Sequence, residues 1–330
     1  MNQLDHKFLQ ANEVIRRAGR VVIVIHRKPD GDAIGTASAF MGWAMQEGIE
    51  VIAFCRDALP HQYSFLPHVH EFTQDTAVFG SNLLTCVFDA GDLRYAGIED
   101  IISELPSRPN IVNFDHHADN RLFGQVNVVK GDASSTSEIL LAFLERVEAR
   151  ITPDMATAML TGLMFDTSSL TNPSTGVDSV RAAAKLMRLG GTVHGYQRNI
   201  LKSKSVPSLR VWGEAFSRLR PNDDLGVMST ALKLEDLKQP GVEEEQVEGI
   251  SNFLDNFLDV PALLFLKETP DGKVKGSFRS SDDIDTSVPA RLFGGGGHPK
   301  AAGFTVPGRV AETDHGWRVE EPKEDPEQDK

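Results

Sequence analysis

Two cysteines in 330 residues, Cys55 and Cys86, are too few for a disulfide framework. Both lie in apolar, strand-like runs and read as buried free thiols. Long hydrophobic runs are missing as well. None approaches the ~18 apolar residues that a membrane-spanning helix needs, and the polar opening Met1-Asn2-Gln3-Leu4-Asp5-His6-Lys7 lacks the apolar core of a signal peptide. A cytoplasmic protein with no membrane partner is expected. Basic charge is scarce too: 34 Lys and Arg face 47 Asp and Glu, for a net charge of -13. Residues 311–330 hold eight acidic and three basic side chains, so they supply -5 and leave -8 for the rest. Long duplex nucleic acid, which is bound by neutralising its phosphates, is disfavoured as a partner. A small phosphorylated substrate stays compatible, because bound divalent metals supply local positive charge.

The chain is long enough for two domains, and its 40% hydrophobic and 25% charged residues are ordinary for a globular protein. Residues 8–18 read as an amphipathic helix. Val21-Val22-Ile23-Val24-Ile25 is a continuous β-branched run, the mark of a strand buried on both faces of a parallel sheet. It runs into the turn His26-Arg27-Lys28-Pro29-Asp30-Gly31-Asp32, where Asp32 is placed to cap a helix from Ala33 to Glu47. Further strands are expected at 51–55, at 83–88 ending on Asp89, at 111–112 ahead of Asp115-His116-His117, and at an edge over 125–129. His61, His68 and His70 surround Pro60 and Pro67 and fit a surface loop better than a metal site.

Ser135 and Glu138 form a capping-box pattern opening a helix to about Glu148, and Pro153 starts another that ends before Asp166. Helix fills 177–189, and Gly190-Gly191 breaks the chain. The divisions expected are a first domain over 1–190, a helical connector over 191–215, a smaller α/β domain over 216–308, and an acidic, disordered tail over 309–330. In the smaller domain, strands at 226–230, 262–267, 274–279 and 304–306 accompany helices at about 242–257 and 286–293.

Four strand ends are expected to carry polar clusters: His26/Asp30/Asp32, Asp89, Asp115/His116/His117 and Asp166. In an open α/β sheet the carboxyl ends of the strands are where ligands bind. Adjacent histidines beside aspartate are costly to bury without a partner, and imidazole with carboxylate is a usual donor set for divalent metals. A metal pair ~3.5–4 Å apart clamps the attacking and leaving oxygens of phosphoryl hydrolysis. The donor mixture suits Mn²⁺ first, then Co²⁺, Fe²⁺ or Zn²⁺, with Mg²⁺ also allowed. Gly294-Gly295-Gly296-Gly297-His298 is a second signal, since glycine amides approach a phosphate without Cβ hindrance, and Arg279 and His298 offer charge-assisted hydrogen bonds.

These motifs, taken in order, resemble those of the DHH phosphoesterase superfamily followed by its DHH-associated C-terminal domain. The residues that carry the resemblance are His26-Arg27-Lys28-Pro29-Asp30-Gly31-Asp32-Ala33-Ile34-Gly35, Asp89, Asp115-His116-His117, Asp166-Thr167, and Gly294 to His298 with Ala301-Ala302-Gly303. They span 20–308, and the short nanoRNase/pAp-phosphatase branch is the most similar. The resemblance implies an α/β fold: a mainly parallel N-terminal sheet flanked by helices, a smaller C-terminal α/β domain, and an active site in the cleft between them.

It also implies two divalent ions, one on His26, Asp30 and Asp89 and one on Asp32, Asp89, His116 and Asp166. His117 would face the scissile phosphate, Asp115 would orient a ligand histidine, and Arg279, Ser280, Gly295, Gly296, Gly297 and His298 would grip the nucleotide. The activity implied is hydrolysis of di- to pentanucleotides to 5′-mononucleotides, of pAp to AMP, or of cyclic or linear dinucleotides. A homodimer fits the family analogy. Two departures stand out: Ser168-Ser169-Leu170 replaces the glycine and aromatic that often follow the Asp-Thr pair, and the acidic tail has no counterpart.

Other readings rank lower. An inorganic pyrophosphatase resembles the first half but carries a basic C-terminal motif where this chain has the glycine–histidine loop. A long-strand exonuclease is disfavoured by the lack of a basic stripe. A catalytically silent nucleotide-binding or scaffold protein would be expected to have lost a ligand carboxylate, and all are present. Gly31 and Gly35 do not make the glycine spacing of a nicotinamide-binding Rossmann turn.

Overall fold

The computed structural model describes residues 3–321 apart from 81, 173, 203, 243–246 and 281–283. The chain divides into two compact units, residues 1–202 and 203–330.

The first unit is a six-stranded parallel sheet in the order β3-β2-β1-β4-β5-β6, with β1 Arg20–Ile25, β2 Glu50–Phe54, β3 Phe72–Thr73, β4 Leu84–Phe88, β5 Ile111–Asp115 and β6 Val126–Val129. Helices α1 Gln3–Ala18, α2 Gly31–Gln46, α3 Glu99–Glu104, α4 Thr136–Arg146, α5 Pro153–Asp166 and α6 Val177–Arg188 accompany it. The β-branched run of β1 behaves as its composition demands. Val21, Ile23 and Ile25 enter one apolar core with Phe40, Trp43 and Phe143, while Val22 and Val24 enter the core on the opposite face with Phe54 and Ile98. The strand order reverses between β1 and β4, a switch point of the kind that opens a crevice at the carboxyl edge. Cys55 and Cys86 are free and buried, and burial pushes the Cys55 thiol up to about 11 and the Cys86 thiol higher still, so neither is reactive.

The second unit holds a six-stranded sheet in the order β11-β12-β10-β9-β8-β7. Its strands are β7 Arg220–Asn222, β8 Val227–Leu232, β9 Ala262–Glu268, β10 Lys273–Ser280, β11 Gly296–His298 and β12 Ala301–Pro307. Only β8 and β9 pair in parallel. Residues 243–246 of the helix expected over 242–257 lie outside the described set, and the described helix runs Ile250–Phe257.

The 191–215 segment is helical, as His194–Tyr196, Gln197–Leu201 and Val206–Ser217, and the division between the two units falls within it. Tyr196 is buried and donates its hydroxyl to the Met164 carbonyl at 3.1 Å, which ties the helical stretch over 194–201 to the first unit. The helix Val206–Ser217 buries Val211 and Ala215 among Leu263 and Phe265 of the second.

The tail is not disordered as far as it is described. β13 Arg309–Thr313 and β14 Gly316–Glu320 form an antiparallel hairpin. Its Trp317 is 2% exposed, joins the core of the second unit, and donates to the Arg218 carbonyl at 2.9 Å. The acidic composition had hidden one large apolar anchor; residues 322–330 lie outside the described set.

The cap of α2 is Asp30 rather than Asp32. Asp30 has the extended backbone a cap requires and accepts from the Asp32 and Ala33 amides at 3.0 and 3.2 Å. Among the described residues, no helix is long and apolar enough to cross a membrane.

Candidate metal centre

The site is built around Asp89, the first residue beyond β4. Its backbone is left-handed, with φ 58°, a conformation that Asp tolerates better than most side chains. The bend departs from the extended strand and places the carboxylate between two histidines. His26 Nε2, from the end of β1, lies 3.6 Å from Asp89 Oδ2 and 3.6 Å from Asp30 Oδ1. His116 Nε2, just past β5, lies 3.5 Å from Asp89 Oδ1 and 3.1 Å from Asp166 Oδ2.

Both rings are held by their other nitrogen. His26 Nδ1 meets the Arg27 carbonyl at 2.7 Å and His116 Nδ1 meets the Ala133 carbonyl at 3.3 Å. A carbonyl only accepts, so Nδ1 carries the proton in each ring. In neutral imidazole this leaves the Nε2 lone pair for a cation.

Asp32, freed from capping, turns inward and is fully buried. Its oxygens accept from Thr136 N at 2.6 Å, Ser137 N at 3.0 Å and Thr36 Oγ1 at 3.2 Å. The N-terminus of α4 therefore grips one carboxylate with its free amides. It reaches a second through Thr136 Oγ1, which donates to Asp89 Oδ1 at 2.9 Å. Sequence reasoning saw only the cap here. Ser135 Oγ does accept from Glu138 N at 3.1 Å, while the Glu138 carboxylate accepts from Ser134 Oγ at 2.7 Å instead of closing the box on Ser135. The overlooked signal was the polar run Ser134-Ser135-Thr136-Ser137, longer than a cap needs. Asp166 stands on the last residue of helix α5 and not on a strand.

Three groups of donor atoms each gather within 4.8 Å: His26/Asp30/Asp89, Asp32/His116/Asp166 and Asp89/His116/His117. Asp115 grips His117, not His116. His117 Nδ1 lies 2.7 Å from Asp115 Oδ1, and Asn120 Nδ2 donates to Asp115 Oδ2 at 2.6 Å. His61, His68 and His70 belong to none of these groups, and His68 pairs with Glu71 at 2.7 Å.

The electrostatics show crowded negative charge. Burial raises Asp32 well above the usual carboxylate range, and Asp166 and Asp89 add to it. Burial pushes Asp166 up to about 6 despite His116. Burial opposes charge on Asp89 too, but the hydrogen bond from His26 and the charge of His116 outweigh it and hold the carboxyl below its usual range. His26 and His116 are raised well above a free imidazole, because neighbouring carboxylates overcome the cost of burial. His117 reaches about 9 in the same way, chiefly through Asp115. The crowded carboxylates of Asp32, Asp89 and Asp166, with Asp30 beside His26, form together with His26 and His116 a donor set that fits divalent cations, which neutralise it without protonation.

The nucleotide-binding candidates belong to the second unit. Arg279 donates from Nε to Asn252 Oδ1 at 2.9 Å and from Nη1 to the Phe278 carbonyl at 2.7 Å. Ser280 is 4% exposed, and its hydroxyl donates to the Ile284 carbonyl at 2.7 Å. The glycine run forms a turn and a strand. The Gly294 and Gly295 amides close the helix Ser287–Leu292 onto the Arg291 and Ala290 carbonyls, and Gly296–His298 pairs with β12. Gly297 has φ 138°, and a Cβ there would lie 2.6 Å from the Ala301 carbonyl oxygen. Two of the amides expected to face an anion are thus already used. The side chain of His298 lies outside the described set.

The DHH family N-terminal domain model matches residues 20–163, and the DHHA1 domain model matches residues 226–315. The chain belongs to the DHH family. Among its relatives, a bifunctional oligoribonuclease and PAP phosphatase NrnA from Thermus thermophilus is 27% identical over 293 residues, spanning 88% of this chain and 85% of the relative. A protein of the same description from Bacillus subtilis is 24% identical over 289 residues, spanning 86% and 89%. An exopolyphosphatase-related protein from Bacteroides fragilis superposes with a TM-score of 0.82 over 91% of this chain and 90% of its own, and at 23% identity the likeness is one of fold. This DHH chain is a hydrolase acting on phosphoester bonds, with Asp and His groups able to bind metal gathered at its sheet edge.

Proposed function

We propose that the protein is a two-metal phosphoesterase of short nucleotides. It would hydrolyse di- to pentanucleotides to 5′-mononucleotides and pAp to AMP, with cyclic and linear dinucleotides in the same chemical class. The observation that carries this reading is the meeting of His26, Asp30 and Asp89 in one donor group and of Asp32, His116 and Asp166 in another, with His116 also 3.5 Å from Asp89. We assign His26, Asp30 and Asp89 to one divalent ion and Asp32, Asp89, His116 and Asp166 to the other, with manganese the first choice.

Such a pair, when bound, supplies Lewis acidity and an activated water. The residues of the chain do the rest. His117, held by Asp115 and through it by Asn120, is assigned to face the scissile phosphate or the leaving oxygen with its Nε2. Thr136 and Ser137 hold the two inner carboxylates in register, so little reorganisation is needed when charge develops. Arg279, Ser280, Gly295, Gly296, Gly297 and His298 are assigned to the nucleotide, and a Cβ added at Gly296 would meet nothing within 4 Å. The substrate class is supported by relatives described as bifunctional oligoribonuclease and PAP phosphatase, similar over most of both chains. The cytoplasm, where buried thiols stay reduced, is the compartment this reading takes.

The test is side-by-side turnover of pApA, pAp, a long single-stranded RNA, cyclic di-AMP and pyrophosphate in Mn²⁺ with EDTA controls. EDTA-sensitive release of AMP from pApA or pAp is expected. Tight nucleotide binding with no turnover of any substrate in several metals would replace this reading with that of a binding protein.

A further inference from the structure

Tyr95 lies against two residues of the candidate metal centre and belongs to none of its donor groups. Its ring lies on the His26 imidazole, with centroids 4.8 Å apart and planes within 12°. It meets the His117 ring edge-on at 6.2 Å. The position is set by backbone: Tyr95 N donates to Asp92 Oδ1 at 2.7 Å, and the Tyr95 carbonyl accepts from Arg27 N at 3.0 Å. The next residues, Ala96 and Ile98, are buried in the sheet core and anchor the turn. Tyr95 is nevertheless 45% exposed as a residue, and among the described residues of the first unit it is the only Phe, Tyr or Trp so exposed. One ring face is covered by His26, which leaves the opposite face for a planar ligand.

The geometry points to Tyr95 as a base-recognition residue: its free face stacks the nucleobase nearest the phosphate held at His117 and the metal centre. This rests on the proposed phosphoesterase reading for where the phosphate sits. A nucleobase is one sugar removed from its 5′-phosphate, and the Tyr95 ring lies beside the His117 ring, with centroids 6.2 Å apart. Stacking accepts any base, because every base has a π-face, so the ring would select nucleotides over phosphate esters without selecting sequence. A rigid ring preset by its turn gives up little rotamer freedom on binding.

The test is calorimetric binding of AMP and of ribose 5-phosphate to the full chain loaded with Mn²⁺. Wild type is expected to prefer AMP, and Tyr95→Phe to keep that preference. Tyr95→Leu keeps an apolar cover on His26 but removes the π-face, so it is expected to weaken AMP by roughly five- to hundredfold and leave ribose 5-phosphate unchanged. An unchanged AMP preference in Tyr95→Leu, or none in wild type, overturns the inference. Equal loss of both ligands, with loss of Mn²⁺ in a parallel titration, also overturns it and reduces the ring to a support for His26. Turnover is not read, so failure of hydrolysis would refute the proposed function separately.

Discussion

Asp89 shows how much one residue carries. It lies in the left-handed region, between His26 and His116, with Thr136 Oγ1 on one oxygen. Thr136→Val keeps the shape and the backbone donor to Asp32 but removes the hydroxyl. The expected result is a loss of roughly 10–100-fold in Mn²⁺ affinity with the unfolding midpoint little changed, measured by metal titration and urea denaturation. Protons compete for the same site. Asp166 titrates at about 6 in the metal-free chain, and Asp32, His26 and His116 are raised as well. A cation must displace whatever protons these groups hold. Apparent Mn²⁺ affinity therefore falls as pH drops through about 6, by about tenfold per unit for each proton displaced. Calorimetry in buffers of different ionisation enthalpy should report net proton release. Affinity that is flat from pH 5 to 8 would contradict this account.

At the scale of elements, two helices that carry ligands cross at close range. A Cβ on Gly35 would collide with the Ala158 carbonyl oxygen, and one on Gly162 would collide with Ser137 Oγ and the Asp32 carboxylate. The crossing brings α5, with Asp166 at its end, against α2 and the start of α4. Gly162→Ala is expected to cost about 1–3 kcal/mol by urea unfolding and to weaken Mn²⁺ binding in the same protein, since the methyl has nowhere to go but into the ligand. A variant as stable as wild type would mean that α5 slides freely. Much at this scale was legible from local pattern. The β1 run, the polar residues at strand ends, and Pro153 at the start of α5 are signals carried by neighbours in sequence. The grip of α4 on Asp32 was not legible, because it joins residues more than a hundred positions apart. The short β3 was missed for a related reason: two residues carry no period.

At the scale of the whole molecule, the largest difference from expectation is the C-terminal hairpin. Average composition over 309–330 reads as a solvated tail, yet Trp317 and Val310 belong to the core of the second unit. The Val310 amide also donates to Glu268 Oε1 at 2.9 Å. Trp317→Ala should cost about 3–5 kcal/mol in the stability of that unit, seen as a lowered unfolding midpoint. A disordered tail would leave the midpoint unmoved.

The sequence by itself determined a parallel α/β first unit, the identity of the polar residues at its strand and helix ends, and the family they resemble. Each follows from local periodicity or from the order of motifs along the chain. Only the tertiary structure decided which carboxylate caps α2 and which turns inward. It alone paired Asp115 with His117, set Tyr95 on His26, and used two glycine amides to close a helix. Those outcomes depend on strand order, helix crossing and competition for a few buried donors, all of which are settled between residues distant in sequence.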